Sequence, residues 1–230
     1  ETLPIRVDGV SFNLDLAAHE HDSDRMVLIC PGACEPLAGR IVEYAVLAEA
    51  IVAADLGAVI RYNDPYQEQC AYSDFLIAKL RKVIEYTLDT ARHYCASATP
   101  RLQIMAYSSS AGAAAKLAAQ YDNVETLLLI APSYDVPQDR ILRDLREFRG
   151  HVRVLVGDRD QVVLPQQAFW YYENALSAAS REYVEAPCCG HAFEGPYNKA
   201  LFSSAPSWAF GKDRPIDFPA PSVEPSEAWV

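Results

Sequence analysis

Residues 101–121, RLQIMAYSSSAGAAAKLAAQY, constrain the fold of this chain more than any other stretch. The segment opens as a short apolar run with Leu102, Ile104 and Met105, then turns at Tyr107-Ser108-Ser109-Ser110. Its alanine-rich remainder reads comfortably only as a helix. A buried strand that becomes a helix across a few small residues leaves the turn residue little conformational freedom and an exposed side chain. That residue is Ser108, with Ala106 and Ser110 two positions away on either side. Small side chains are needed at both flanks, because the helix must approach the strand closely while the serine backbone is strained. A second register, Ser108-Ser109-Ser110-Ala111-Gly112, places Ser110 at the turn and ends on a true glycine. It ranks lower, since the strand must then extend through the serines and the helix loses its first turn.

The chain has 230 residues, 50% of them hydrophobic, which supplies one sizeable core and is short for two. Twenty basic residues against 31 acidic ones give a net charge of -11, with no block of one sign. Attraction to nucleic acid or to an anionic membrane is therefore disfavoured. No apolar run is long enough to cross a bilayer, and the sequence from Glu1 onward lacks a basic-then-apolar signal segment, so a cytoplasmic location is the expectation. Cysteines at 30, 34, 70, 95, 188 and 189 read as reduced, packed thiols. Neither the pair Cys188-Cys189 nor the spacing of Cys30 to Cys34 has the Cys-x-x-Cys arrangement of a zinc site, and no metal is expected.

Residues 3–7 and 10–16 alternate apolar and polar and predict an antiparallel pair at a sheet edge. The polar run 19–24, HEHDSD, reads as a solvated loop rather than a cation site. A buried strand over 25–30 ends at Pro31-Gly32-Ala33, a helix is predicted over 36–54, and a strand follows at 57–62. Strand, helix, strand is the unit of a parallel sheet. The loop 63–72 carries Tyr66 and Tyr72, and 73–95 is a long amphipathic helix with a stripe through Leu76, Leu80, Val83, Ile84 and Leu88. Further strands are predicted at 124–130, 152–156 and 181–186, with helices at 139–148 and 165–179. The aromatic cluster Phe169, Trp170, Tyr171 and Tyr172 reads as packing, with a homodimer contact as the alternative. From Ser203 the composition shifts to proline, serine and isolated aromatics without a period. The division expected is one domain over 1–203 and a tail over 204–230 packed on the body.

Loops at the carboxyl ends of parallel strands gather on one edge of an open sheet, where ligands bind. Ser108, Asp160 and His191 each fall just past the end of a predicted strand, so they are expected to meet. Four short motifs come in order: Pro31-Gly32-Ala33, Ala106-Tyr107-Ser108-Ser109-Ser110, Gly157-Asp158-Arg159-Asp160 and Gly190-His191-Ala192-Phe193. With them, the segment from about 25 to 201 resembles the α/β-hydrolases, in particular small members without a large cap such as dienelactone-hydrolase-like esterases and acyl-protein thioesterases. The fold class that follows is a mostly parallel sheet with helices on both faces. The chain departs from the usual pattern where Pro31 stands in place of a histidine and where Ala106 and Ser110 replace elbow glycines.

The resemblance implies a nucleophile elbow at Ser108, with His191 as its general base and Asp160 orienting the imidazole. Asp158 is the rival acid; the resembling motif places the acid three residues after the glycine, which favours Asp160. Backbone N–H groups of Ala33 and Ser109 would form an oxyanion hole. Substrate contacts are expected from Cys34, Glu35, Tyr66 and Tyr107, with residues 134–136 nearby. The chemistry calls for no cofactor. Its leading reading is a serine hydrolase acting on a small-molecule carboxylic ester through an acyl-enzyme. The alternatives are an acyl thioesterase or small-peptide hydrolase with the same triad, and a binding module on a hydrolase scaffold that has lost turnover.

Overall fold

The computed structural model describes residues 1–39, 43–65 and 71–211. Strands β1 (Thr2–Val7) and β2 (Val10–His19) form the expected antiparallel pair, paired from Thr2 with Asp15 to Val7 with Val10. The two residues between them, Asp8 and Gly9, both take positive φ, at 50° and 84°. That geometry matches the right-handed twist of a hairpin, which is why Asp-Gly suits it. Ile5, Val7, Phe12, Leu14 and Leu16 point inward along the alternation.

The remaining strands are β3 (Arg25–Cys30), β4 (Ala58–Tyr62), β5 (Arg101–Tyr107), β6 (Val124–Ile130), β7 (His151–Gly157) and β8 (Ser180–Ala186). They complete an eight-stranded sheet of order β1-β2-β4-β3-β5-β6-β7-β8. β2 meets β4 antiparallel, and every pair from β4 to β8 is parallel. Central strands are apolar on both faces because helices cover both. In β3, Met26, Leu28 and Cys30 face one layer while Val27 and Ile29 face the other.

The first layer holds α2 (Tyr72–Thr90), α3 (Ser109–Leu117), α4 (Gln138–Glu147) and α5 (Pro165–Asn174). The second holds α1 (Tyr44–Ala53) and α6 (Gly195–Phe210). Two boundaries differ from the sequence expectation. Residues 36–39 form a turn closed by Gly39 N–H on the Pro36 carbonyl, so the helix predicted from 36 starts only at Tyr44. The helix predicted over 165–179 stops at Asn174, whose side-chain amide turns back onto the Trp170 carbonyl.

A third difference concerns the C-terminal segment. Helix α6 runs across the 203/204 boundary and reaches Phe210 with Pro206 inside it. Leu201, Phe202, Ala205, Trp208 and Ala209 are buried along one stripe, and that burial outweighs the hydrogen bond a proline removes. The rest of the expected tail, 212–230, lies outside the described residues. Among the described residues no helix is long and apolar enough to cross a membrane, and no cluster of three or more His, Cys, Asp or Glu could hold a metal ion.

Candidate active site

β5 ends at Tyr107 and α3 begins at Ser109, so Ser108 alone makes the turn, with φ 52° and ψ -115°. An L-residue rarely occupies this region, and it persists where surrounding bonds over-determine it. Here Ser108 N–H donates to the Ile130 carbonyl at 2.9 Å, and the Ser108 carbonyl accepts from Ala111 at 3.1 Å and Ser133 at 3.3 Å. The second register is excluded, because Ser110 is buried and its hydroxyl donates to the Pro31 carbonyl at 2.5 Å. A side chain where a glycine is usual thus becomes a tie between the elbow helix and the loop after β3.

The carboxylate of Asp160 lies in the turn after β7, with the residue 2% exposed. Its Oδ1 accepts from the backbone N–H groups of Val162 at 2.9 Å and Val163 at 2.8 Å. Its Oδ2 meets His191 Nδ1 at 2.8 Å. Asp158 is exposed and serves elsewhere, with Oδ1 accepting from Cys189 N–H at 3.1 Å. The two acids therefore divide the work: Asp160 faces the imidazole and Asp158 holds the loop that carries it.

On the other side of the ring, His191 Nε2 is 3.1 Å from Ser108 Oγ. With an acceptor-only carboxylate at Nδ1, the proton of a neutral imidazole sits there and leaves Nε2 to accept from the serine hydroxyl. The histidine loop closes down on β7 at Gly157, where a Cβ would lie 2.1 Å from the Cys189 carbonyl oxygen. Only glycine permits that approach. Cys189 beside it is a neutral thiol, pushed up to about 12 by burial and by the charges of Asp158 and Asp160.

The loop expected to form the oxyanion hole lies against the elbow. A Cβ on Gly32 would sit 3.0 Å from Tyr107 Cδ1 and 3.6 Å from Ser108 Cβ, so Ala33 follows directly on a glycine packed close to the elbow. Ser109 is the first residue of α3, where N–H groups lack intrahelical acceptors. Cys34, with φ 57°, donates its N–H to Asp64 Oδ2 at 2.8 Å, and Glu35 is 3% exposed beneath the loop.

Tyr107, expected among the substrate contacts, packs against His191. It is 2% exposed; its ring lies 5.4 Å from that of His191 at an interplanar angle of 26°, and its hydroxyl donates to the His191 carbonyl at 2.9 Å. Burial, with Asp160 and Glu35 adding to it, pushes the phenol well up, so it remains a donor. Tyr66 falls outside the described residues. One buried pair went unnoticed in the sequence, that of Lys79 with Asp64. Its signal was there: Lys79 sits inside the apolar stripe of α2, four residues after Phe75 and four before Val83. A cavity of about 190 Å³ opens beside the histidine loop, between Val46 and Leu47 of α1 and Phe202 of α6, with Lys199 and Glu43 on its wall.

No protein-family model matches the chain, and no curated protein sequence does. Its structure does have counterparts. It superposes on Est1E from Butyrivibrio proteoclasticus with a TM-score of 0.68 at 14% identity, over 89% of this chain and 95% of that one. A dienelactone hydrolase from Anabaena variabilis gives 0.69 at 18% identity, over 90% and 95%. An α/β serine hydrolase without lid from Xanthomonas campestris gives 0.62 at 22% identity, over 90% and 91%. With its eight-stranded, mostly parallel sheet, helices on both faces and, among the described residues, no large cap, this chain has the α/β-hydrolase fold.

Proposed function

We propose that the protein is a serine hydrolase that cleaves carboxylic esters of small molecules through an acyl-enzyme. The observation that carries this reading is the unbroken relay from Ser108 Oγ to His191 Nε2 at 3.1 Å and from His191 Nδ1 to Asp160 Oδ2 at 2.8 Å. His191 takes the hydroxyl proton as Ser108 attacks the ester carbonyl, and Asp160 stabilises the resulting imidazolium. The developing oxyanion is met by the backbone N–H groups of Ala33 and Ser109, each worth about 3 kcal/mol in such sites. His191 then returns the proton to the departing alcohol. A water molecule, deprotonated by the same imidazole, releases the acid and restores Ser108.

A panel of p-nitrophenyl esters of increasing acyl length, with acyl thioesters alongside, tests the reading and orders its substrates. Wild-type protein turns over short esters and is labelled by a fluorophosphonate; Ser108→Ala does neither. Turnover or labelling that survives Ser108→Ala would remove the serine from the reaction. Faster turnover of thioesters than of esters would move the substrate class and leave the mechanism standing.

A further inference from the structure

We propose that Asp64, Lys79 and Ser110 are positioning residues that clamp the oxyanion loop on both sides of the peptide carrying the Ala33 N–H, an inference that rests on the hydrolase reading above. Three consecutive peptide units make up this loop. The carbonyl of the first, at Pro31, accepts from Ser110 Oγ at 2.5 Å. The N–H of the third, at Cys34, donates to Asp64 Oδ2 at 2.8 Å. Between them lies the Gly32–Ala33 peptide, whose N–H belongs to the oxyanion hole. Asp64 grips the loop a second time through its own backbone N–H, which donates to the Glu35 carbonyl at 2.7 Å.

The clamp acts on a backbone that needs holding. Cys34 takes φ 57°, a conformation unfavourable for a residue with a Cβ, and the bond to Asp64 secures it there. On the opposite side, Ser110 belongs to the same helix start as the nucleophile, so the donor loop and Ser108 move as one unit. Oxyanion stabilisation depends on donors set in place before the charge develops. A loop tied at both flanks meets that requirement.

Lys79 explains how the carboxylate can be there at all. Both partners of the pair are sealed from water, with the Lys79 side chain 0% and the Asp64 side chain 1% exposed. The ammonium lies 5.0 Å from the Phe75 ring centroid and 5.6 Å from that of Tyr62. The Tyr72 hydroxyl donates to Asp64 Oδ2 at 3.2 Å. For stability alone such a pair is a poor choice, since well-packed apolar residues of the same volume do as well or better. An apolar pair, however, offers no acceptor to Cys34 N–H. Lys79 donates to Asp64 Oδ1, and the second carboxylate oxygen is left to accept from the loop.

The test uses the full chain, p-nitrophenyl acetate, and circular dichroism to confirm folding. Asp64→Leu with Lys79→Met removes the acceptor without leaving a lone buried charge. Asp64→Asn with Lys79→Met removes both charges but keeps a carbonyl oxygen for Cys34. The first is expected to lower kcat about tenfold or more with KM within about twofold, the pattern of a lost transition-state interaction. The second should recover most of that loss. Ser110→Ala, which deletes one hydroxyl, should lower kcat in the same pattern.

A folded Leu/Met variant with kcat within about twofold of wild type overturns the clamp, and so does equal impairment of the Leu/Met and Asn/Met variants, which marks a merely structural pair. If neither pair variant folds, Ser110→Ala decides, and an unchanged kcat rejects the proposal. Wild-type protein without ester turnover and without Ser108 labelling overturns the hydrolase reading and this inference together. Wild-type turnover with full kcat in the variants overturns this inference alone.

Discussion

The Tyr107 ring lies beneath the imidazole of His191 while its hydroxyl donates to the His191 backbone carbonyl at 2.9 Å, joining residues 84 positions apart in the chain. One side chain thus sets both the plane of the ring and the height of the loop that carries it. Because Tyr107 directly precedes Ser108, a shift at either end of the Ser108–His191 contact is transmitted to the other.

Tyr107→Phe keeps the stacked ring and removes the hydrogen bond. Such a bond is worth about 1 kcal/mol net, so kcat on a short p-nitrophenyl ester should fall roughly threefold to tenfold. KM should hold, since a side chain that is 2% exposed offers a substrate almost no surface. A raised KM with unchanged kcat would return Tyr107 to the substrate pocket.

The two acids of the Gly157-Asp158-Arg159-Asp160 turn should separate sharply in kinetics. Asp160→Asn leaves the shape intact but can donate an N–H to Nδ1, favouring the wrong tautomer; by analogy with other triads kcat should drop about 10⁴-fold. Asp158→Asn keeps an acceptor for Cys189 N–H, and its loss should be about tenfold at most. Comparable losses in both variants, measured at pH 8, would contradict the division of roles.

Away from the site, Asp144 gives a pH-dependent prediction. Burial pushes this carboxyl up, but the Lys116 ammonium that donates to it, together with Gln120 and Arg143, holds it below the usual carboxylate range. A folded-state pKa below the unfolded one means that the stabilisation is complete above the unfolded value of about 4 and is lost as pH falls through the folded value. Asp144→Asn should therefore lower stability by about 1–2 kcal/mol at pH 7. The difference from wild type should shrink toward zero in urea melts near pH 2. A gap that stays constant down to that pH would mean the carboxylate charge contributes nothing.

Much of the architecture could be read from neighbours along the chain. Alternation along 10–16 gave a strand with one buried face, the double-sided apolar run 25–30 gave a covered parallel one, and small residues around Ser108 gave the elbow. These signals are local because backbone sterics and side-chain period act within a few residues. Helix α6 was also written there, in the spacing of Leu201, Phe202, Ala205, Trp208 and Ala209, but the prolines and serines among them hid it.

What the sequence by itself determined, then, was the strands and helices as far as β8, and that a serine, an acid and a histidine follow strand ends in that order. Tertiary structure alone decided that the Tyr107 ring lies against the imidazole and that Lys79 reaches Asp64 beside the loop at Cys34. The reason is physical. The partner of each of these side chains lies beyond the reach of local pattern, and it is settled by contacts between distant segments and by the cost of burying a charge or a hydroxyl without a partner.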